Sequence, residues 1–351
     1  MRILITGAPG QDATLLSQLM LERGHDVTCS YRYSSTDFKS RFKHFPVACP
    51  NLQLVCGSIT TMSGCLDLLE KVEPDQVYNL AASSHVSESF KDPAGVFDIN
   101  LKPIIYFLEG IRRFSPGTRF LQASTSEMFG SNYSVKNGQK VQDENTPLSG
   151  NSPYAISKIA AHNMVKLYRE AYGVFACAAI SFNHEHPGLR GENFVTRKIT
   201  KWVCNFIRWK NANGLREPNG FSETEILFEG LRYPKLRLGN LDAVRDWSDA
   251  FDVVNAMTLI LGADEPDDYV VCSGKGHTVH NFLELAFSYA FIDNFMDYVY
   301  IDPAFYRPCE VPFLQGDATK LRERLGWEPR TDFKELVRSM VEYDCGNPNR
   351  H

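Results

Sequence analysis

Arg2-Ile3-Leu4-Ile5-Thr6-Gly7-Ala8-Pro9-Gly10-Gln11-Asp12-Ala13 is the stretch whose reading decides the fold. Three consecutive aliphatics form a short buried strand, and Gln11 to Arg23 carries a helical pattern closed by Gly24. Between them Gly7 permits a tight turn, Gly10 lets a ligand approach the backbone, and the helix start offers free N–H donors. Ala13 stands where a third glycine is usual, a position that only sets helix–strand packing. Two glycines at a turn are often no more than a turn. This pair follows the first strand and opens a helix, the setting of a dinucleotide pyrophosphate site edged by Gly7, Gly10, Gln11 and Asp12.

Outward from this unit, β-rich runs alternate with helical patterns. Strands are expected at His25 to Tyr31, Leu52 to Cys56, Gln76 to Leu80, Arg119 to Ala123 and Val174 to Ser181. Helices are expected around Met62 to Val72, from about Ala94 to Arg113, from Pro153 to Tyr172 and from Asp332 to Tyr343. Such alternation predicts an α/β protein, a Rossmann-type doubly wound parallel sheet with a smaller, mostly C-terminal substrate-binding domain. Residues 1–181 with about 240–275 make the first domain, and about 182–239 with 276–351 the second. Asn211 to Pro234, rich in Asn, Gly, Glu and Pro, reads as a surface excursion.

The 351 residues carry a net charge of −5, so no concentrated basic face is expected for nucleic acid. An anionic ligand must be held by a local basic cluster. No segment reaches membrane-spanning length, and the aliphatic run before Gly7 is too short for a signal-peptide core, so a cytoplasmic protein is expected. The nine cysteines include no C-x-x-C pair and read as reduced, mostly buried thiols. No metal is expected: His184 and His186 stand two apart around Glu185, not at the spacing that puts two imidazoles on one helix face.

The end of the second strand selects the cofactor. An NAD enzyme usually carries an acid there for the ribose hydroxyls. Tyr31-Arg32-Tyr33-Ser34-Ser35 has no acid before Asp37, and a guanidinium with hydroxyls suits the 2′-phosphate of NADP. The same residues also suit a solvated loop. Tyr154 and Lys158 share one face of a helix, where an ammonium lowers the phenol's pKa from about 10. At the end of the Arg119 to Ala123 strand, Ser124-Thr125-Ser126-Glu127 would bring a hydroxyl and a carboxylate to the same crevice.

The order of glycine turn, Leu80-Ala81-Ala82-Ser83-Ser84-His85-Val86, Ser-Thr-Ser-Glu and Y-x-x-x-K resembles the extended short-chain dehydrogenase/reductases. Glu127 directs the likeness toward 4,6-dehydratases. Asn183-His184-Glu185, Phe194-Val195-Thr196-Arg197-Lys198, Leu238-Gly239-Asn240 with Arg245-Asp246-Trp247, and Arg307-Pro308-Cys309-Glu310 are similar to the GDP-mannose 4,6-dehydratases, over nearly the whole chain. The resemblance implies a hydro-lyase in which Tyr154 takes the proton of the sugar 4-hydroxyl, Thr125 hydrogen-bonds O4, Lys158 tunes Tyr154, and Glu127 removes the C5 proton. A carboxyl partly desolvated, with a raised pKa, would suit that work. NADP contacts are implied for Gly7, Gly10, Gln11, Asp12, Arg32, Ser34, Ser35, Ser58 and Ile59, for Leu80, Ala81, Ala82 and Ser84, and for Tyr154, Lys158, His184 and Arg190. GDP-mannose contacts are implied for Ser84, Ser87, Thr125, Ser126, Glu127, Asn183 and Val195, and for Lys198, Gly239, Asn240, Arg245, Arg307 and Glu310.

Departures from the pattern are Gly57-Ser58-Ile59 for Gly-Asp-Leu, Tyr33 for an arginine, Ser83 for a glutamine and Gly95 for a tyrosine. They imply weaker NADP binding. The loop 184–191 is one residue longer and lacks one of two paired arginines that support a tetramer in the family, so a homodimer or homotetramer is expected. Two other readings stay open: a dehydratase or 4-epimerase of another nucleotide sugar, and a non-catalytic nucleotide-binding homologue. Product mass separates the first. The joint presence of Thr125, Glu127, Tyr154 and Lys158 argues against the second.

Overall fold

A computed structural model describes residues 1–34, 38–306 and 308–346; Ser35, Asp37 and Arg307 lie outside the described residues. Ile3, Leu4 and Ile5 are fully buried in the first strand, Arg2–Thr6, an interior strand of a seven-stranded sheet. Every pairing in that sheet is parallel. Across it run Leu52–Cys56, Asp26–Tyr31, Arg2–Thr6, Gln76–Asn79, Arg119–Thr125, Ala176–Ser181 and Asp268–Val271. Winding therefore reverses between Arg2–Thr6 and Gln76–Asn79. Loops leaving those two strands diverge, and a crevice opens at the strand carboxyl ends. The strand Ala176–Ser181 is buried along its whole length, as a strand with helices on both faces must be.

Helices Gln11–Glu22 and Ala250–Gly262 pack on one face of the sheet. Met62–Val72, Lys102–Phe114 and Pro153–Tyr172 pack on the other. The expected long helix Ala94 to Arg113 is two helices, Pro93–Asn100 and Lys102–Phe114, parted at Leu101. Pro103 explains the break: it has no N–H to continue the ladder, yet fits the first turn of a new helix.

A second core lies beside the sheet domain. It is built by Val195–Ala212, Val279–Tyr289 and Phe333–Cys345, with Leu336, Val337, Met340 and Val341 turned inward. The strand Leu236–Leu238 runs parallel to Val299–Ile301, and Val244–Asp249 lies between Gly276–Thr278 and Asn183–Glu185. Val311, Leu314, Leu321 and Trp327 pack into the first core, where Trp327 Nε1 donates to the Asp252 carbonyl at 3.0 Å.

One expectation is refined here and one overturned. The stretch Asn211 to Pro234 is mostly exposed, as a surface excursion is, and holds a three-stranded antiparallel meander of Gly220–Phe221, Glu225–Phe228 and Leu231–Pro234. Ile226 and Phe228 point inward, and Tyr233 and Phe228 join Phe206 and Trp209 in an aromatic cluster. Its alternation lasts only the four residues Glu225–Phe228, too short to rise above the polar composition around it. The thiols are also not all reduced. Cys204 and Cys345, 141 residues apart, form a disulfide where their two helices pack side by side, a juxtaposition that spacing along the chain does not reveal. Cys29, Cys65, Cys177 and Cys272 are free and buried. Among the described residues no helix is long and apolar enough to cross a membrane, and no cluster could hold a metal ion.

Candidate active site

The crevice at the strand carboxyl ends is one continuous cleft of about 1620 Å³ between the two cores. A pocket for one drug-sized ligand spans roughly 300–1,000 Å³, so this one has room for two. Its floor begins at the glycine turn. Gly7 sits at φ +91°, and a Cβ there would stand 2.8 Å from the Ala81 nitrogen, so only glycine lets the turn lie against the Leu80–Ala81 backbone. Gly10 N donates to the Gly7 carbonyl at 2.9 Å, and Thr14 N to the Gly10 carbonyl at 2.9 Å. The first-turn amides of the following helix have no acceptor within the helix, and Gly10, Gln11, Asp12 and Ala13 line the cleft.

A chain of buried polar groups that the sequence reading missed fixes the strand ends. Thr6 Oγ1 accepts from Leu80 N and Ala81 N, both at 3.1 Å, and donates to Asn79 Oδ1 at 2.8 Å. Asn79 Nδ2 in turn donates to Gln122 Oε1 at 2.8 Å. Asn100 accepts from Ser83 N at 2.8 Å and donates to Ser157 Oγ at 3.0 Å, tying the 80–84 segment to the helix that carries Tyr154. Lone buried polar residues without periodicity give no sequence signal.

Ser152 caps that helix by accepting from Ala155 N at 3.1 Å, and Pro153 opens it. Tyr154 is 7% exposed and Lys158 3%. Thr125 is the last residue of its strand, and Glu127 lies in the single 3-10 turn Ser126–Phe129 beyond it. The Thr125 hydroxyl hydrogen-bonds the Tyr154 phenol, and the charge of Glu127 reaches the same phenol. Glu127 N donates to Thr125 Oγ1 at 3.3 Å, so the backbone holds this turn. Thr125, Glu127, Tyr154 and Lys158 all line the cleft.

The expected lowering of the phenol by the lysine is not found. Burial pushes Tyr154 up to about 12 against the Thr125 hydrogen bond. Lys158 Nζ donates to the Ala123 carbonyl at 2.8 Å and stands 6.0 Å from the Tyr154 ring centre. Burial in turn pulls Lys158 down to about 8, opposed by the charge of Asp12.

Of the expected cofactor residues, Gly7, Gly10, Gln11, Asp12, Arg32, Ser58, Ile59, Leu80, Ala81, Ala82, Ser84, His184 and Arg190 line the cleft with Tyr154 and Lys158. Ser34 does not, and Tyr33 is 83% exposed. Burial would raise the Asp12 carboxyl, but the charge and hydrogen bond of His184 hold it at about 2. His184 is drawn down by burial and more than restored by Asp12, so the two form an ion pair at 3.1 Å. Glu185, 1% exposed, meets Arg190 Nε at 2.8 Å, and the Arg190 guanidinium lies 3.5 Å over Phe194.

The expected substrate residues Ser84, Ser87, Ser126, Asn183, Val195, Lys198, Gly239, Asn240, Arg245 and Glu310 also line the cleft. Arg245 and Glu310, read separately from sequence, meet at 3.0 Å. Lys198 Nζ stands 3.8 Å over the Phe305 ring; burial, then Arg237, lowers its pKa. Gly239 leaves room for the Phe305 carbonyl, which a Cβ would approach to 2.9 Å. Phe305 escaped the sequence reading because a lone aromatic in a polar loop carries no pattern.

A parallel sheet with a glycine turn at its switch point, a Thr–Tyr–Lys set at the neighbouring strand end and a second core closing the cleft defines an extended short-chain dehydrogenase/reductase. Within that class the chain belongs to the GDP-mannose 4,6 dehydratase family, whose profile matches residues 4–217 and 224–340. It is 41% identical to GDP-mannose 4,6 dehydratase 2 of Arabidopsis thaliana, covering 97% of this chain and 86% of that one. It is 36% identical to GDP-mannose 4,6 dehydratase of Homo sapiens, covering 99% and 93%. The fold is shared with UDP-glucose 4-epimerase of Thermotoga maritima, at a TM-score of 0.78 and 23% identity, covering 98% of each chain.

Proposed function

We propose that the protein is a nucleotide-sugar 4,6-dehydratase, a hydro-lyase converting GDP-mannose to GDP-4-keto-6-deoxymannose with NADP held in the same cleft. The observation that carries this reading is the meeting of Thr125, Glu127 and Tyr154 in a cleft that also contains the glycine cradle. The cradle suits a dinucleotide. Its turn is closed by the Gly10 N to Gly7 carbonyl bond, and Gly10, Gln11 and Asp12 form part of the cleft wall at the start of a helix, where free amides suit a pyrophosphate.

Held along the Gly7–Asp12 cradle, a bound nicotinamide dinucleotide would supply a hydride acceptor for sugar C4 and a hydride donor for C6. Tyr154 takes the proton of the 4-hydroxyl, and the Thr125 hydroxyl, already bonded to the phenol, orients that oxygen. Lys158, held by the Ala123 carbonyl, supplies the nearby cation that a buried phenolate needs. Ketone formation at C4 acidifies the C5 proton, which Glu127 removes and hands to the departing C6 hydroxyl, so that water leaves; the proton taken up by Tyr154 balances the one that C5 regains as C6 is reduced. Lys198 and the Arg245–Glu310 pair hold the diphosphate and ribose at the other end.

Purified protein incubated with GDP-mannose, without added cofactor, is expected to yield a product lighter by one water; dTDP-glucose is expected to remain unchanged. The reverse preference would assign another nucleotide sugar. For the cofactor, Arg32 lines the cleft beyond the second strand, where a 2′-phosphate would lie. Arg32→Ala is expected to weaken NADP about tenfold or more, the scale of one charge-assisted contact, and to leave NAD binding nearly unchanged. Titration of both cofactors checks this, and an unaltered preference would refute the 2′-phosphate assignment.

A further inference from the structure

Two walls of the cleft are fastened to each other. On the glycine-turn side, Gln11 and Asp12 begin the first helix; on the other, residues 182–186 leave the Ala176–Ser181 strand. Gln11 Nε2 donates to the His184 carbonyl at 3.2 Å, and Gln11 Oε1 accepts from His186 N at 3.0 Å. Asp12 Oδ2 meets His184 Nε2 at 3.1 Å, while Asp12 Oδ1 accepts from Gln11 Nε2 at 3.1 Å. His184 Nδ1 donates to the Phe182 carbonyl at 2.7 Å, which fixes the ring with its other nitrogen toward the carboxylate. Two side chains thus reach across more than 170 residues of sequence to bind both the backbone and the ring of the opposite strand exit.

The glycine turn needs none of this for its own shape. Its backbone bonds close it, and the helix behind it is anchored by Ala13, Leu15 and Leu16 in the first core. Nor is the second strand exit short of support, since Glu185 and Arg190 form their own buried pair. Both sides of the fastening line the cleft, so opening it would widen the cleft beside the pyrophosphate cradle.

We propose that the Gln11/Asp12–His184/His186 fastening is a latch that retains the dinucleotide between the two halves of one catalytic cycle, with Gln11 and Asp12 as positioning residues. This rests on the dehydratase reading. A cofactor oxidised and reduced within one turnover must not leave in mid-cycle, whereas a simple dehydrogenase has to exchange its cofactor every turnover. Two or three polar contacts opened together are expected to raise the escape rate on the order of tenfold, a change of about 1.4 kcal/mol.

Two variants test it. Gln11→Ala removes both contacts to the opposite backbone, and Asp12→Asn removes the ion pair while keeping size. For each, dissociation of NADPH is timed by displacement with excess NADP, with no sugar present. Both are expected to release NADPH about tenfold faster than the unaltered chain. With GDP-mannose and excess NADP, Gln11→Ala is also expected to shed free NADPH in mid-turnover, which a loss of fold would not produce. Release at the unaltered rate by a folded Gln11→Ala chain would overturn the latch. An unaltered chain that binds NADPH but removes no water from GDP-mannose would instead overturn the dehydratase reading, leaving the displacement result to be judged alone.

Discussion

Glu127→Gln is expected to stop loss of water from GDP-mannose, lowering turnover about 10³-fold, while the dinucleotide still binds. General acid–base catalysis contributes roughly 10²–10⁴-fold. Glutamine has the shape of the carboxylate but cannot accept the C5 proton. The turn that carries Glu127 is held by its backbone N–H on Thr125 Oγ1 at 3.3 Å, and Gly130 seats the chain against Ser149 beyond it, so the exchange leaves the local fold intact. Cofactor binding depends on the Gly7–Asp12 cradle, which Glu127 does not build. The variant should still oxidise C4, so one equivalent of reduced nicotinamide should appear in a single turnover and persist. Unaltered dehydration by this variant would remove Glu127 from the mechanism.

Tyr154→Phe should fail earlier and about as severely, by roughly 10³-fold. Without the hydroxyl, nothing at that point accepts the 4-hydroxyl proton, so reduced nicotinamide should never appear. The Thr125 hydroxyl loses a partner, but Thr125 is only half-buried at the cleft wall, where water can replace it. Thermal stability should therefore change little. Near-ultraviolet absorbance in a single turnover separates the two variants: a persistent signal for Glu127→Gln and none for Tyr154→Phe. The same signal from both would mean that Tyr154 and Glu127 do not act at successive steps.

Six of the seven strands were legible in the sequence because parallel strands buried on both faces are short apolar runs, and glycine, proline and serine mark their exits; the edge strand Asp268–Val271 was not read. Arg2–Thr6, Leu52–Cys56 and Met62–Val72 begin and end where their residues say they should. Failures occurred where the deciding contact is distant. Phe228 is buried against Phe206 and Trp209, and Ile226 joins the same core, contacts that lie far off in sequence. Cys204 and Cys345 pair only because two helices bring them together. In the cleft, a motif residue has a recognisable neighbourhood in sequence, and Thr125, Glu127, Tyr154 and Lys158, which all line it, were singled out that way. Thr6, Asn79, Gln122 and Asn100, which hold the strand ends in place, are single polar residues whose partners lie on other strands or helices. Electrostatics were least legible of all: that Tyr154 is raised by burial depends on what surrounds it, not on the lysine four residues away.

Deuterium placed at C4 of GDP-mannose tests the central claim most directly, that oxidation, loss of water and reduction happen in one closed cleft. Mass and position of the label in the product are read after incubation in ordinary water with no added cofactor. The label is predicted to be found at C6 of the 4-keto-6-deoxy product. A dehydrated product without it, or label recovered in free NADPH, would contradict the account.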